Sequence, residues 1–278
     1  MASTQDHWSS QAYNSSASFV PQLATKVTSL LAPTAGDFIL DLGCGDGVLT
    51  SKLAEAVGPK GHVLGLDASA AMIDAAKATY AHASSTYRVH DCASLSGDSG
   101  VAERQWDKIF SNAALHWVLR DAKAREGLFG DCFAALRTGG KFVFEMGGKG
   151  NVDEVHAAVI GALVAHGVPI QQARDSIPWF FPSEVWMKQA LQKAGFTVEV
   201  CEMEYRPTKL NPDNAQGSGG LEGWVRLMAA QPLTIVEPEK KDSVVSMISN
   251  VLESVITREE DGSRWIGYVR LRAVAVKP

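Results

Sequence analysis

Short apolar runs alternate with amphipathic stretches along the first half of the chain. Residues 38–42 (FILDL) form an apolar run that stops at glycines, the pattern of a strand buried on both faces. Leu49, Leu53 and Val57 follow at four-residue spacing, a helix ended by Gly58-Pro59. Residues 63–67 read as a second strand. Ser69 is placed to cap a helix carrying Ala70, Met72, Ile73 and Ala76. Residues 87–91 and 108–111 read as the third and fourth strands. A helix over 122–136 then leads through Gly139-Gly140 to a fifth strand at 141–146. Strands alternating with helices at this spacing imply right-handed crossovers and a parallel sheet covered on both faces.

The second half changes character. Helices are expected over 152–166 and over 183–194, the latter closed by Gly195. Residues 197–205 alternate Val198 and Val200 with Glu199 and Glu202, a strand pattern. Residues 207–220 are polar and glycine-rich, hence a loop or hinge. A helix over 239–257 is expected to gather Val244, Ile248, Val251, Leu252 and Val255 on one face, and 265–276 to close the chain as a long strand.

Composition narrows the function. The chain has 278 residues, 46% hydrophobic and 21% charged, so disordered and disulfide-scaffold classes are excluded. Lys plus Arg is 26 against 31 for Asp plus Glu, a net charge of −5, and no basic cluster is present for a nucleic-acid backbone. Cys44, Cys92, Cys132 and Cys201 stand far apart without a CxxC, and residues 1–10 lack the basic start and apolar stretch of a secretory leader. The longest charge-poor stretch, 157–170, contains His166 and Pro169 and falls short of the ~20 residues that a membrane span needs. A soluble, cytoplasmic protein is expected, with no nucleic-acid or membrane partner.

The most informative segment is Asp41-Leu42-Gly43-Cys44-Gly45-Asp46-Gly47. Glycines directly after a buried strand let the backbone turn sharply and approach a ligand. The spacing is GxGxG, with Val48 where a dinucleotide fingerprint has its third glycine, and no GK[ST] ending follows for a phosphate cradle. Asp67 ends the second strand twenty residues past Gly47, where an acid accepts ribose hydroxyls. Asp91 ends the third, where it could accept an adenine amino hydrogen beside the Cys92 amide. Three carboxylates around an open loop suit a nucleoside that is positively charged and carries no phosphate. S-adenosylmethionine (SAM) is such a molecule.

The strings ILDLGCGDG (39–47), LGLDAS (64–69) with Met72, and FSNAALHW (110–117) resemble those of class I SAM-dependent methyltransferases. Within these, Asn112-Ala113-Ala114-Leu115-His116-Trp117 and the early aromatics Trp8 and Tyr13 are similar to the trans-aconitate methyltransferase group of carboxyl methyltransferases. The resemblance implies an α/β fold with a doubly wound, seven-stranded, mostly parallel Rossmann-like sheet. Its last strand would be antiparallel, with a helical cap inserted before it. It divides the chain into an N-terminal flap (1–35), a cofactor core (36–206 plus 264–278) and a substrate cap (207–263). By the same resemblance Gly43, Cys44, Gly45 and Gly47 line the methionine part of SAM, and Asp41 orders the loop amides. Asp67 and Ala68 hold the ribose, Asp91 and Cys92 hold adenine, and Met72 packs on it. Asn112 and Ala113 meet the amino-acid end and Tyr13 closes over it. The product would be S-adenosylhomocysteine, with no metal.

His116 follows the fourth strand at the edge where ligands bind, so it is a candidate general base or substrate contact, or a structural histidine in a turn. Trp8, Trp117, Trp224 and Arg264 are candidate substrate contacts. Arg206, Arg226 and Arg270 join Arg264 as possible clamps for a carboxylated acceptor. The remaining histidines show no metal spacing. Neither the [ND]PP[YF] signature of amino methyltransferases nor the Pro-Cys of cytosine methylation is present. The leading expectation is methyl transfer to a small-molecule carboxylate, giving an ester. The alternatives are O- or C-methylation of a natural-product scaffold with His116 as base, and a SAM-binding partner protein that transfers nothing.

Overall fold

The computed structural model describes Trp8 and residues 24–95, 99–102, 105–212 and 219–278. Tyr13, and all of the expected flap before residue 24 except Trp8, lie outside the described residues. Helix α1 (Thr25–Leu31) precedes β1 (Phe38–Leu42), α2 (Val48–Val57), β2 (His62–Asp67), α3 (Ala70–Thr79) and β3 (Ser85–Val89). A short α4 (Ser99–Ala102) leads to β4 (Trp106–Asn112), α5 (Leu115–Val118), α6 (Ala122–Ala135) and β5 (Leu136–Gly147). Then come α7 (Asp153–Ala165), α8 (Ile170–Ser176), α9 (Glu184–Lys193), β6 (Thr197–Tyr205) and β7 (Thr208–Lys209). The chain closes with α10 (Gly220–Met228), α11 (Lys241–Ile256), β8 (Trp265–Ile266) and β9 (Val269–Val276).

Seven strands form one sheet in the order β3-β2-β1-β4-β5-β9-β6. Neighbours from β3 through β5 pair in parallel, and β9 runs antiparallel between β5 and β6. This is the doubly wound, mostly parallel α/β fold expected, with its one reversed strand. Alternation along the strands divides the core. Ile39 of β1 and Val143 of β5 pack with Val27, Leu31 and Leu53 from α1 and α2. Their neighbours Leu40, Phe142 and Phe144 pack with Leu128, Met187 and Leu191 from α6 and α9 on the other face. Side-chain caps start the helices where the sequence placed them: Ser69 accepts from the Met72 amide (3.2 Å) and Ser183 from the Trp186 amide (3.2 Å).

Strand β5 starts at Leu136 and β7 lies in the stretch read as a loop; three further differences bear on the site. The closing strand is broken: β8 pairs with β7 in a separate two-stranded sheet, and the chain turns at Gly267-Tyr268 before β9. The turn is fixed by the Glu154 carboxylate, which accepts from the Gly267 amide (2.5 Å), so a tertiary contact overrides strand propensity. Strand β3 ends at Val89, and Asp91 lies beyond it, accepting from the Ala93 amide (2.9 Å) in a local turn. On α11 the buried face is Val244, Val245, Ile248, Leu252 and Ile256, while Val251 and Val255 are 51% and 63% exposed.

A separate apolar cluster stands over one end of the sheet. It joins Val155, Val159 and Leu163 of α7 and Trp179 to Trp224 and Val225 of α10 and to Val244 and Ile248 of α11. Residues 152–179 therefore pack with those from 210–268 in one core. Beneath, Arg272 on β9, fully buried, binds Glu145 (2.6 Å), Glu202 (2.7 Å) and Glu204 (2.9 Å), and Arg206 also binds Glu145 (2.6 Å). A buried guanidinium is tolerated because carboxylates surround it. Lys26 of α1 reaches Glu202 (2.7 Å) and ties that helix to the network.

Candidate active site

The strand order reverses between β1 and β4, and a crevice opens there at the carboxyl ends of the strands. It encloses about 200 Å³. The glycine loop forms its floor. Gly43 adopts φ +73°, and a Cβ there would lie 2.1 Å from the Ala114 methyl, so only glycine fits. The Gly43 and Cys44 amides donate to the Leu66 carbonyl (2.8 and 3.0 Å), stitching the loop to β2.

Asp67 organises the loop. Its Oδ2 accepts from the Gly45 amide (2.9 Å) and its Oδ1 from the Ser69 amide (2.9 Å). The expectation that Asp41 orders the loop amides is corrected here, because the Asp41 carboxylate is turned inward and accepts from the Thr50 hydroxyl (2.7 Å). Burial raises the Asp41 pKa to about 7; the Thr50 hydrogen bond opposes the shift and the Asp67 charge adds to it. Burial also pushes the Cys44 and Cys92 thiols up, which fits packing residues rather than nucleophiles.

Of the residues expected at a cofactor, the crevice brings together Asp41, Gly43, Cys44, Gly45, Asp67 and Ala68. Met72, Asp91, Cys92, Asn112 and Ala113 line it as well. Gly47 does not: it stands behind the wall, where a Cβ would meet Ala76 and Tyr87 at 2.9 Å, so its freedom serves helix packing. Phe110, Val118 and Leu49 supply apolar wall that the sequence reading passed over. Ala113 takes φ +56° and donates its amide to the Glu145 carbonyl (2.8 Å), which anchors this edge to β5. Four aspartates (Asp41, Asp46, Asp67 and Asp91) beside apolar wall, with glycine backbone at the floor, fit a cationic nucleoside.

A second, inner chamber of about 40 Å³ adjoins the crevice and shares Trp8, Ala113 and Trp117 with it. Its walls are aromatic. Trp8 meets Trp117 edge-on (5.2 Å), Trp117 meets Trp179 (6.0 Å), and Trp179 lies nearly parallel to Phe181 (5.8 Å, 16°). Trp224 donates its indole N–H to the Tyr268 hydroxyl (2.8 Å), and the Arg270 guanidinium lies over the Tyr268 ring at 4.4 Å. Arg270 is 3% exposed and lines this chamber.

His116 is brought into the chamber too. Its ring packs between Trp117 (5.4 Å) and Phe181 (5.6 Å), and its Nδ1 accepts from the Gly147 amide (3.3 Å). Burial, then the Arg270 charge, lowers its pKa to about 3. Such an imidazole stays neutral, with its proton on Nε2, and is a poor general base. Arg264 is not brought in: it binds Glu253 (3.1 Å) away from both cavities. Arg226 binds Asp242 (2.8 Å), and of the four arginines weighed from sequence Arg270 is the one that lines either of these two cavities.

Residues 39–140 match the family described as methyltransferase domain. A protein of Schizosaccharomyces pombe described as an uncharacterized methyltransferase is 38% identical over 273 residues, spanning 98% of this chain and 99% of its own length. The chain belongs to the SAM-dependent methyltransferases. This methyltransferase is also 29% identical over 152 residues to the malonyl-[acyl-carrier protein] O-methyltransferase of a Marinomonas species, covering 55% of this chain and 53% of that one. Its fold is similar to that of phosphoethanolamine N-methyltransferase 2 of Haemonchus contortus in complex with SAM, with a TM-score of 0.53 at 19% identity over 92% of this chain and 52% of that one. Among the described residues of the methyltransferase, no helix is long and apolar enough to cross a membrane. Nor do any three His, Cys, Asp or Glu residues among them group to hold a metal.

The chamber residues that sequence reasoning missed are chiefly Asn151, Trp179, Phe181 and Tyr268. One signal was present: Trp179-Phe180-Phe181 stands between Pro178 and Pro182, an aromatic string too short and too rigid for a core helix.

Proposed function

We propose that the methyltransferase esterifies the carboxylate of a small-molecule acid. Arg270 carries the reading: a buried cation lines the chamber that adjoins the cofactor crevice. In this account Asp67 and Ala68 hold the ribose, Asp91 and Cys92 the adenine, and Met72 packs on the ring. Asn112 and the glycine loop face the amino-acid end, with the Asp41 carboxylate buried behind the loop on Thr50. When bound, SAM supplies a methyl group on a sulfonium sulfur. The residues of the chain bind and orient the acceptor. Arg270 neutralises and aims the carboxylate, neutral His116 offers its Nε2 hydrogen, and Trp8 and Trp117 exclude water between the two cavities. A carboxylate is ionised at neutral pH, so no proton has to be removed.

The low pKa of His116 supports this reading over O- or C-methylation of a scaffold, which needs a base. The name of the Marinomonas relative, an O-methyltransferase for a malonyl group, agrees with it, as does the likeness of 112–117 to the trans-aconitate group. The cap in this account comprises 207–263 together with 152–179, which share its apolar cluster. Four free thiols support a reducing, cytoplasmic setting.

The test is incubation of the purified chain with SAM and a panel of acids, phenols and enols, with products identified by mass spectrometry. Base-labile methyl esters are expected. Methylated phenols or carbon centres alone would sink the proposal, and tight SAM binding with no turnover would favour the non-catalytic partner.

A further inference from the structure

Resting on the carboxylate reading above, we infer that the inner chamber selects a monocarboxylate with a flat or short branched apolar body, and rejects di- and tricarboxylates. The chamber's charge is the first ground. Among the described residues that line it, Arg270 is the one cationic side chain and none is a carboxylate. Arg206, just past β6, and Arg272 on β9 do not line it and are ion-paired with Glu145, Glu202 and Glu204. A first carboxylate therefore meets Arg270. A second would be stripped of water against indole and phenyl rings with no cation to receive it.

Shape is the second ground. Trp179 and Phe181 lie nearly parallel, and Trp117 and Trp224 stand at 67° and 45° to Trp179. These faces and edges suit an unsaturated ring or a compact branched chain. The chamber encloses about 40 Å³. A single water takes about 10–15 Å³ of such space, so the body admitted displaces about three or four waters, the bulk of one ring. Selectivity of this kind works by exclusion, through a group left desolvated in the wrong acceptor.

The experiment compares benzoate and 3-methylbutanoate with succinate and trans-aconitate on the full chain. Ester formation is followed by mass spectrometry. Binding in the presence of S-adenosylhomocysteine is followed by quenching of tryptophan emission, since four indoles line the chamber. The monoacids are expected to show kcat/KM at least about 100-fold higher and to quench at correspondingly lower concentration. Phe181→Leu is expected to weaken benzoate more than 3-methylbutanoate. Turnover of succinate or trans-aconitate as fast as the monoacids, or faster, overturns the inference while leaving carboxyl methylation standing. Methylation of other acceptors with no acid turned over at all overturns both.

Discussion

The two cavities of this methyltransferase are neighbours with opposite construction. The cofactor crevice sets four aspartates in apolar wall, and apart from Trp8 its residues come from four short segments at the ends of adjacent parallel strands: 41–49, 67–72, 91–92 and 110–118. The inner chamber is aromatic around one guanidinium, and gathers single residues from Trp8, His116, Asn151, Trp179, Trp224 and Arg270. Strand ends and the segments that follow them place all of the first but Trp8. The second exists only after α7, α10 and α11 have packed into one apolar cluster. In the proposed function the crevice fixes the reaction class, and the chamber is assigned to the acceptor of the methyl group.

If that division holds, damage to one cavity leaves the other intact. The largest effect is expected from Asp67→Ala, which removes the acceptor of the Gly45 and Ser69 amides and, in the proposed function, the ribose partner as well. Affinity for S-adenosylhomocysteine, measured by calorimetry, should fall by about 100-fold or more, the loss of two charge-assisted hydrogen bonds. An unchanged affinity would remove the crevice from the account.

A pH dependence sharpens the same cavity. Asp41 has its pKa raised to about 7 in the ligand-free fold, with Asp67 as its charged neighbour. A cation in the crevice favours the ionised form, so SAM affinity should fall as pH drops below 7, by up to about tenfold per unit. Asp41→Asn should flatten the slope, and a wild-type affinity flat between pH 5 and 7 would contradict it.

His116 offers a smaller test on the chamber side. Its folded pKa of about 3 lies below the unfolded value of 6.5, so its contribution to stability is complete above pH 6.5 and is lost as pH falls toward 3. Between pH 7 and pH 5 urea denaturation should show wild type losing about 2 kcal/mol more than His116→Gln. The same variant should keep kcat within about tenfold of wild type with an unmoved pH–rate profile, because a neutral donor and not a base has been replaced. A profile that lost a limb near pH 6–7 would restore the base.

The difference in construction also explains what could be read from sequence. Asp41, the glycine loop and Asp67 were legible because a buried strand, a tight turn and a strand-end acid lie within thirty residues of one another. The sheet was legible for the same reason, down to the Ser69 cap. The break at Gly267 was not, because it depends on Glu154, 113 residues away. The inward turn of Asp41 toward Thr50 and the choice of Arg270 over Arg206, Arg226 and Arg264 are likewise decided by tertiary partners. Val251 and Val255 fell on the wrong face because Val245 and Ile256 share the buried stripe of α11, a rotation that the spacing alone leaves open.

The most direct measurement is a steady-state comparison of wild type and Arg270→Gln on an acid acceptor, paired with calorimetry of S-adenosylhomocysteine. The account expects kcat/KM to drop by about 30-fold or more, carried mainly by KM, while cofactor affinity stays within twofold. An unaltered KM for the acid, or a parallel collapse of cofactor binding, would contradict the assignment of Arg270 to the acceptor and with it the separation of the two cavities.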